Sequence, residues 1–224
     1  MIHIVNSKNR HHYASQVDAM HRIRKQLFVD NLRWSGPTVI GDQEFDRYDD
    51  ELAEYLLGLD PDTGAVRAGI RMRPARESSM LADVFAHLVT AGRDSVLGAT
   101  TWEGTRLFAA LDARSDADKR LMREVYVAVV EFGLRRGYDR FTGLGDVRHL
   151  PMLRAGSWRF TILGTPVADA EGEWFAFEAQ VDAAALAFAR ERHGVLEHLL
   201  FELPPDSDVA IAPHIAARPR RSDA

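Results

Sequence analysis

No cysteine occurs among the 224 residues, which excludes disulfides, thiolate nucleophiles and every cysteine-containing metal site, and fits a reducing compartment. No apolar run approaches the ~18 residues of a membrane span, and the opening MIHIVNSKNRHHY lacks the unbroken apolar stretch of a secretory leader. The expectation is a cytoplasmic protein that uses no membrane. An excess of positive charge is also missing. With 28 Lys and Arg against 33 Asp and Glu the net charge is -5, without the basic field that draws proteins to nucleic acid, so no nucleic-acid partner is expected. His11-His12, His149 and the His193/His198 pair lack the i, i+4 helical spacing beside a glutamate found in zinc hydrolases, and no metal is expected.

What is present is an ordinary globular composition, 46% hydrophobic and 27% charged. The length favours one domain, taken as residues 1–212, with the polar stretch 213–224 ending ARPRRSDA as a flexible tail. MIHIV alternates as a short strand. Tyr13, Val17, Met20, Leu27 and Phe28 then recur at helical spacing. Residues 30–50 break the pattern as a long loop, a length that is uncommon unless functional. AEYLLGLD and AVRAGIRMR flank Pro61-Asp62-Thr63-Gly64, which predicts a β-hairpin over 53–73. MLADVF and TTWEGTRLFAAL read as strand, the latter on its Thr, Trp and Phe content. DADKRLMREVYVAVVEFGLRRG is the clearest helix, acidic at its start, basic at its end and stopped by Gly137. Further strands (DRFTGLG, WRFTILGTP, EWFAFEAQVD) and helices (DVRHLPMLRAG, AAALAFARERHG) complete a mixed α/β order.

Seven carboxylates between Asp42 and Glu54 (Asp42, Glu44, Asp46, Asp49, Asp50, Glu51, Glu54) face one cation, Arg47, and are interleaved with Phe45 and Tyr48. Alone, such a run is a solvated surface loop. Its neighbours raise a second reading: Arg24, Phe28 and Trp34 lie just upstream, and Arg71 sits in a hairpin strand, where an inward cation needs a carboxylate partner. An Arg–Asp network is one outcome. In WEGTR, strand alternation puts Glu103 and Thr105 on one face and Arg106 with Trp102 on the other. A glutamate among apolar neighbours has its pKa raised by desolvation, which suits a general base, whereas an exposed strand glutamate is the plain alternative.

The ordered set RIRKQLFVDNLRW (Arg24, Phe28, Trp34), EFDRYDD (Glu44, Asp46, Asp49), AGIRMRP (Arg71, Pro74), MLADVFAHL (Phe85) and TWEGTRLFA (Glu103, Arg106) resembles the LuxI-type acyl-homoserine-lactone synthases along most of residues 1–160. The resemblance implies one mixed sheet flanked by helices, an α-β-α sandwich related to the N-acetyltransferases. It also implies a reaction: the amine of S-adenosylmethionine attacks an acyl thioester, then lactonisation expels methylthioadenosine. Both molecules are substrates, and no cofactor is implied. On that basis Arg24, Phe28, Trp34, Phe85 and Arg106 are expected at the S-adenosylmethionine site, with Asp46, Asp49, Arg71, Arg106 and the base Glu103 as catalytic residues. Arg71 or Arg106 would hold the methionyl carboxylate or orient Asp46 and Asp49 through bidentate pairs. Met122, Val125, Leu144, Met152 and Trp158 are expected to line an acyl tunnel.

The chain departs from the family's Trp-Glu-Leu-Ser-Arg-Phe pattern at Gly104, Thr105 and Leu107, which keeps the hydroxyl but removes an aromatic ring from the expected nucleoside site. Gly145 stands where members making 3-oxo signals often carry threonine, favouring an unsubstituted, branched or aryl acyl group. The donor is acyl-CoA or acyl carrier protein. Lys119, Arg120, Arg123, Arg135, Arg136, Arg148 and Arg154 form a basic set that suits an acidic carrier, or a plain solvated surface. Two rivals remain. Arg140-Phe-Thr-Gly-Leu-Gly145 fits the pyrophosphate loop of an acetyltransferase acting on another amine, and a sensor would bind S-adenosylmethionine without turnover. A base at position 103 predicts that Glu103→Gln still binds ligand but loses turnover.

Overall fold

The computed structural model describes residues 1–154 and 158–212, without the side chain of Met152. The expected tail, 213–224, lies outside the described residues. The chain runs β1 (Ile2–Val5), α1 (Ala14–Arg24), β2 (Thr38–Ile40), β3 (Gln43–Phe45), β4 (Glu54–Leu59), β5 (Val66–Pro74) and α2 (Met80–Asp83). There follow β6 (Thr101–Ala109), α3 (Asp116–Arg136), β7 (Arg140–Asp146), α4 (Leu150–Arg154), β8 (Phe160–Ile162), β9 (Val167–Ala168), β10 (Glu173–Gln180), α5 (Ala183–His193) and β11 (Leu200–Phe201). Nine strands form one mixed sheet in the order β11-β1-β4-β5-β6-β7-β10-β8, with β9 also on β10. The β1–β11 and β6–β7 pairs are parallel and the others antiparallel.

The helix over 116–136 forms for the reasons its sequence gives. Ser115 and Asp118 close a reciprocal capping box, Gly137 ends the helix at φ 74°, and Val125, Val129 and Phe132 are buried against the sheet. With α5 it covers one face over the larger core, which includes Ile4, Leu56, Ile70, Phe141, Phe175 and Phe177. On the other face α1, the small β2–β3 hairpin and α2 enclose two lesser apolar clusters. The result is the α-β-α sandwich expected.

Three local readings are corrected. MLADVF is helical over Met80–Asp83, because the Ser79 hydroxyl accepts the Ala82 N–H and starts a helix there. Past α1 the chain continues as π-helical turns over Lys25–Asn31, which run into the start of the expected loop over 30–50, and that loop holds the β2–β3 hairpin. In β6, pairing with β5 slips between Gly69 and Arg71, and Arg106 takes φ 54°. This bulge interrupts strand alternation and puts Arg106 on the Glu103 and Thr105 face, not opposite it.

Candidate active site

β6 and β7 are registered only from Thr101–Arg140 to Gly104–Gly143, although each strand runs further. Beyond that point they part, and the bulge at Arg106 lies beside the gap. Two cavities of about 370 Å³ each open there. One is mostly apolar and reaches Phe28, Met122, Phe141, Leu153, Trp158 and Phe177. The other carries polar groups and is bounded by Asp46, Tyr48, Met80, Phe85, Asp169 and Glu171. Trp34, Thr105, Arg106, Leu144 and Trp174 line both and form the wall between them.

Beneath this wall the acidic segment and the arginines make one buried lattice. The fully buried Arg24 donates from Nε to Glu44 at 2.6 Å and from both Nη atoms to Asp49 at 2.7 and 2.8 Å. Arg71 donates to both Asp46 oxygens at 2.6 and 3.0 Å, approaches Asp49 at 2.9 Å, and reaches the Thr105 hydroxyl at 3.0 Å. Arg106 joins Glu44 at 3.0 Å and Asp46 at 2.8 Å, and its guanidinium lies 5.5 Å from the Phe28 ring centroid and 5.7 Å from that of Trp34. Three arginines thus meet three carboxylates.

Desolvation pushes the Asp49 carboxyl up, but hydrogen bonds from Arg24 and the charges of Arg24 and Arg71 outweigh it and hold Asp49 far below the usual carboxylate range. Asp46 behaves alike: burial raises it, and Arg71 with Arg106 brings it below its ordinary value. Most of the segment's negative charge is therefore already matched. Of the two readings of the segment, the Arg–Asp network is the one found, and Asp50 is also taken up by Arg73 at 2.7 Å.

The expected site residues divide accordingly. Phe28, Trp34, Phe85, Asp46 and Arg106 line one or both cavities, whereas Arg24 is enclosed within the lattice. Arg71 and Asp49 are also buried in the lattice and line neither cavity. Of the expected tunnel residues, Met122, Leu144 and Trp158 line the apolar cavity. Val125 does not, since its place on α3 turns it into the core, fully buried. The Met152 side chain lies outside the described part. Leu107 lines the apolar cavity and not the polar one, so the missing ring alters that side of the wall. Glu103 is 2% exposed and lines neither cavity; its oxygens accept the Met80 and Leu81 backbone N–H groups.

Sequence reasoning missed Tyr48 as a lining residue, Thr105 as the acceptor for Arg71, and Glu171 of the β9–β10 turn with Trp174 of β10, which close the polar cavity. Only contacts distant in sequence bring these in, such as Ser35 donating from N and Oγ to Glu171 at 2.7 and 2.5 Å.

The strand reading of DRFTGLG holds, against the rival pyrophosphate-loop reading of Arg140–Gly145. These residues are a strand, and Gly143 and Gly145 leave room for the rings of Phe177 and Phe175, to which an added Cβ would come within 2.7 Å. The basic set does not make one open patch. Lys119, Arg120, Arg135, Arg136 and Arg148 each pair with a carboxylate. Among the described residues no helix is long and apolar enough to cross a membrane.

Comparison with known proteins agrees with this geometry. The family model described as autoinducer synthase matches residues 8–188. The isovaleryl-homoserine lactone synthase of Bradyrhizobium diazoefficiens is 33% identical over 174 residues, covering 78% of this chain and 76% of the relative. A solved CoA-dependent acyl-homoserine lactone synthase holding S-adenosylmethionine and isopentyl-CoA superposes with a TM-score of 0.79 at 28% identity, over 93% of this chain and 95% of that one. An N-acetyltransferase-like protein of Lactobacillus plantarum, 15% identical with a TM-score of 0.52 over 81% of this chain and 99% of its own, shares the fold alone.

Proposed function

The chain belongs to the autoinducer synthase family, and from that premise we propose that it is an acyl-homoserine-lactone synthase using S-adenosylmethionine and an acyl-CoA thioester. The observation that carries the reading is the pair of cavities with one shared wall. A two-substrate transfer needs both reacting centres at one point with their remaining parts held apart, since most of the gain from pairing reactants comes from fixed orientation.

S-adenosylmethionine occupies the polar cavity. The aromatic faces of Trp34, Tyr48, Phe85 and Trp174 suit an adenine and a sulfonium. Arg106 is the group for the methionyl carboxylate: its Nε and Nη2 are taken by Glu44 and Asp46, while Nη1 approaches only the Met80 sulfur, at 3.8 Å. The acyl chain enters the apolar cavity, which puts the thioester carbonyl at the Thr105–Arg106 wall. The neutral amine attacks that carbonyl, the carbon–sulfur bond breaks, and the thiol leaves with an amide formed. The methionyl carboxylate then attacks the γ-carbon next to the sulfonium, and the carbon–sulfur pair departs with methylthioadenosine. A cation and an anion become two neutral products.

A coenzyme A donor is favoured over a carrier protein because the basic residues that would meet an acidic carrier are mostly engaged internally, and because a similar solved synthase is CoA-dependent. The test is purified protein with S-adenosylmethionine and parallel panels of acyl-CoA and acyl-carrier-protein thioesters, straight, branched and aromatic, followed by mass spectrometry. Methylthioadenosine and lactone should appear in equal amounts with acyl-CoA. Thioester consumption without methylthioadenosine would refute the reading and make the chain an acyltransferase for another amine.

A further inference from the structure

Glu103 lies in β6 between Arg73 of β5 and Thr142 of β7, with its carboxylate beneath α2. Both oxygens accept from the start of α2, and Glu103 lines neither cavity, which is not the placement of a proton acceptor facing substrate. Oε2 accepts the Met80 N–H at 2.8 Å and Oε1 the Leu81 N–H at 2.6 Å. These are the first N–H groups of α2, which no intrahelical carbonyl can reach. Ser79 Oγ takes the next, from Ala82, at 3.0 Å. A helix of four residues has little stability of its own, because nucleating a turn is unfavourable. Its position is therefore set by the groups that hold its start.

What α2 carries gives that position its consequence. Met80, Val84 and Phe85 line the polar cavity, and the Met80 sulfur lies against Arg106 Nη1. Shifting the start of α2 moves this wall. The substrate's chemistry also makes a buried base unnecessary: an α-amino group titrates near ~7.7–8.0, so around neutral pH a usable fraction is already the nucleophilic amine and its proton can pass to water. Desolvation does raise the Glu103 carboxyl above its ordinary value, against the pull of the two backbone N–H groups.

We infer that Glu103 is a positioning residue, whose carboxylate pins the start of α2 and so fixes the Met80–Phe85 wall of the S-adenosylmethionine cavity. The inference rests on the synthase reading and assigns Glu103 a different task from proton abstraction. Glutamine at 103 keeps one acceptor and turns an N–H2 toward a backbone N–H, which breaks one anchor and adds a repulsion.

The experiment uses the full chain, wild type, Glu103→Gln and Ser79→Ala. S-adenosylmethionine affinity is read by calorimetry, and steady-state kinetics vary each substrate separately between pH 6 and 9. Glu103→Gln should weaken S-adenosylmethionine binding and raise its KM about tenfold, the scale of one lost buried hydrogen bond to a charged group. kcat at saturation should stay within about threefold, with the ascending limb of the pH profile unmoved because that limb belongs to the substrate amine. Ser79→Ala, which removes the Ala82 cap and the hydroxyl's hydrogen bond to Glu103 but keeps the carboxylate and its two backbone partners, should shift the same KM in the same direction and leave the thioester KM alone. A wild-type affinity in Glu103→Gln with kcat down a hundredfold, or with the ascending limb displaced, overturns the inference and restores the base. Should Glu103→Gln fail to fold by circular dichroism, an unchanged S-adenosylmethionine KM in Ser79→Ala overturns it equally. Failure of the wild type to bind S-adenosylmethionine would instead strike the synthase reading.

Discussion

Replacing Arg24 by methionine tests whether the Arg–carboxylate lattice is the framework of the site. The guanidinium is fully buried and makes three hydrogen bonds, one to Glu44 and two to Asp49. Methionine fills similar space but leaves three carboxylates, the buried Glu44 and the largely covered Asp46 and Asp49, facing two arginines, Arg71 and Arg106. Removing one partner of a buried ion pair costs about 3–5 kcal/mol, chiefly through the charge left behind. For a chain of this size each kcal/mol lowers Tm by roughly 2–4 °C, so the expected fall is about 6–20 °C. Equilibrium urea unfolding at pH 7 reads the loss directly.

Arg24→Met combined with Glu44→Leu restores the balance at two arginines and two aspartates. It should recover about 1–3 kcal/mol relative to the sum of the single variants, the coupling range for residues in one network. The acid limb has a definite sign. Burial opposes ionisation of Asp49, but Arg24 and Arg71 hold its folded pKa far below the unfolded ~3.9. The stabilisation is therefore complete above about pH 4 and is lost only as pH falls through the lower folded value. Without Arg24 that folded value rises, so the acid-unfolding midpoint should move to higher pH. A loss under about 1 kcal/mol, the worth of a surface pair, or strict additivity in the double variant would refute the framework account.

Two further outcomes are expected elsewhere. Burial, reinforced by the N-terminal charge, lowers the His3 pKa to about 4; its stabilisation is complete above the unfolded ~6.5 and lost as pH falls from there toward 4. His3→Phe should flatten that decline in a stability–pH series while lowering stability at pH 7.5, because the Tyr13 hydroxyl loses its hydrogen-bond partner at 3.1 Å. An unchanged slope would remove His3 from the acid response. Met122→Trp, in the apolar cavity alone, should lower kcat/KM for the longest accepted acyl-CoA about tenfold or more, sparing short thioesters and the S-adenosylmethionine KM. Equal losses for all thioesters would place the chain elsewhere.

Sequence carried the sheet and the long helix well because their signals are local: the hairpin about Pro61–Gly64, the capping box at Ser115 and the stop at Gly137 each depend on neighbours in the chain. Composition marked the acidic segment and its arginines, and the family pattern singled them out. An Arg–Asp network is one reading of these residues, but which arginine meets which carboxylate, and that Glu44 joins them, is not legible, because Arg24, Arg71 and Arg106 arrive from three separate elements. Alternation failed at Arg106 because one extra residue at a bulge reverses the facing of a side chain, and period-two patterning does not contain the partner strand. Val125 was misassigned for the related reason that a helix stripe gives the buried face but not which part of it borders a void.

The balanced lattice also changes the account of how a cationic substrate is held. Burying a sulfonium beside unpaired carboxylates would join attraction to a standing cost, since those carboxylates would have to stay ionised and desolvated in the empty protein. Pairing each of them with an arginine removes that cost and leaves the wall that carries Asp46 and Arg106 with fixed geometry and little net charge, while Asp169 and Glu171 border the cavity elsewhere. In the proposed reading selectivity for the cation then falls to the aromatic faces, Trp34 above all, which stacks on Phe28 at 4.7 Å and meets the edge of Trp174 at 5.5 Å. The same balance serves the second chemical step. Lactonisation annihilates a sulfonium and a carboxylate, so a site of strong negative potential would stabilise the charged reactant more than the transition state in which that charge is disappearing. A neutral, rigid wall holds the reacting atoms in place without opposing the loss of charge that drives methylthioadenosine out.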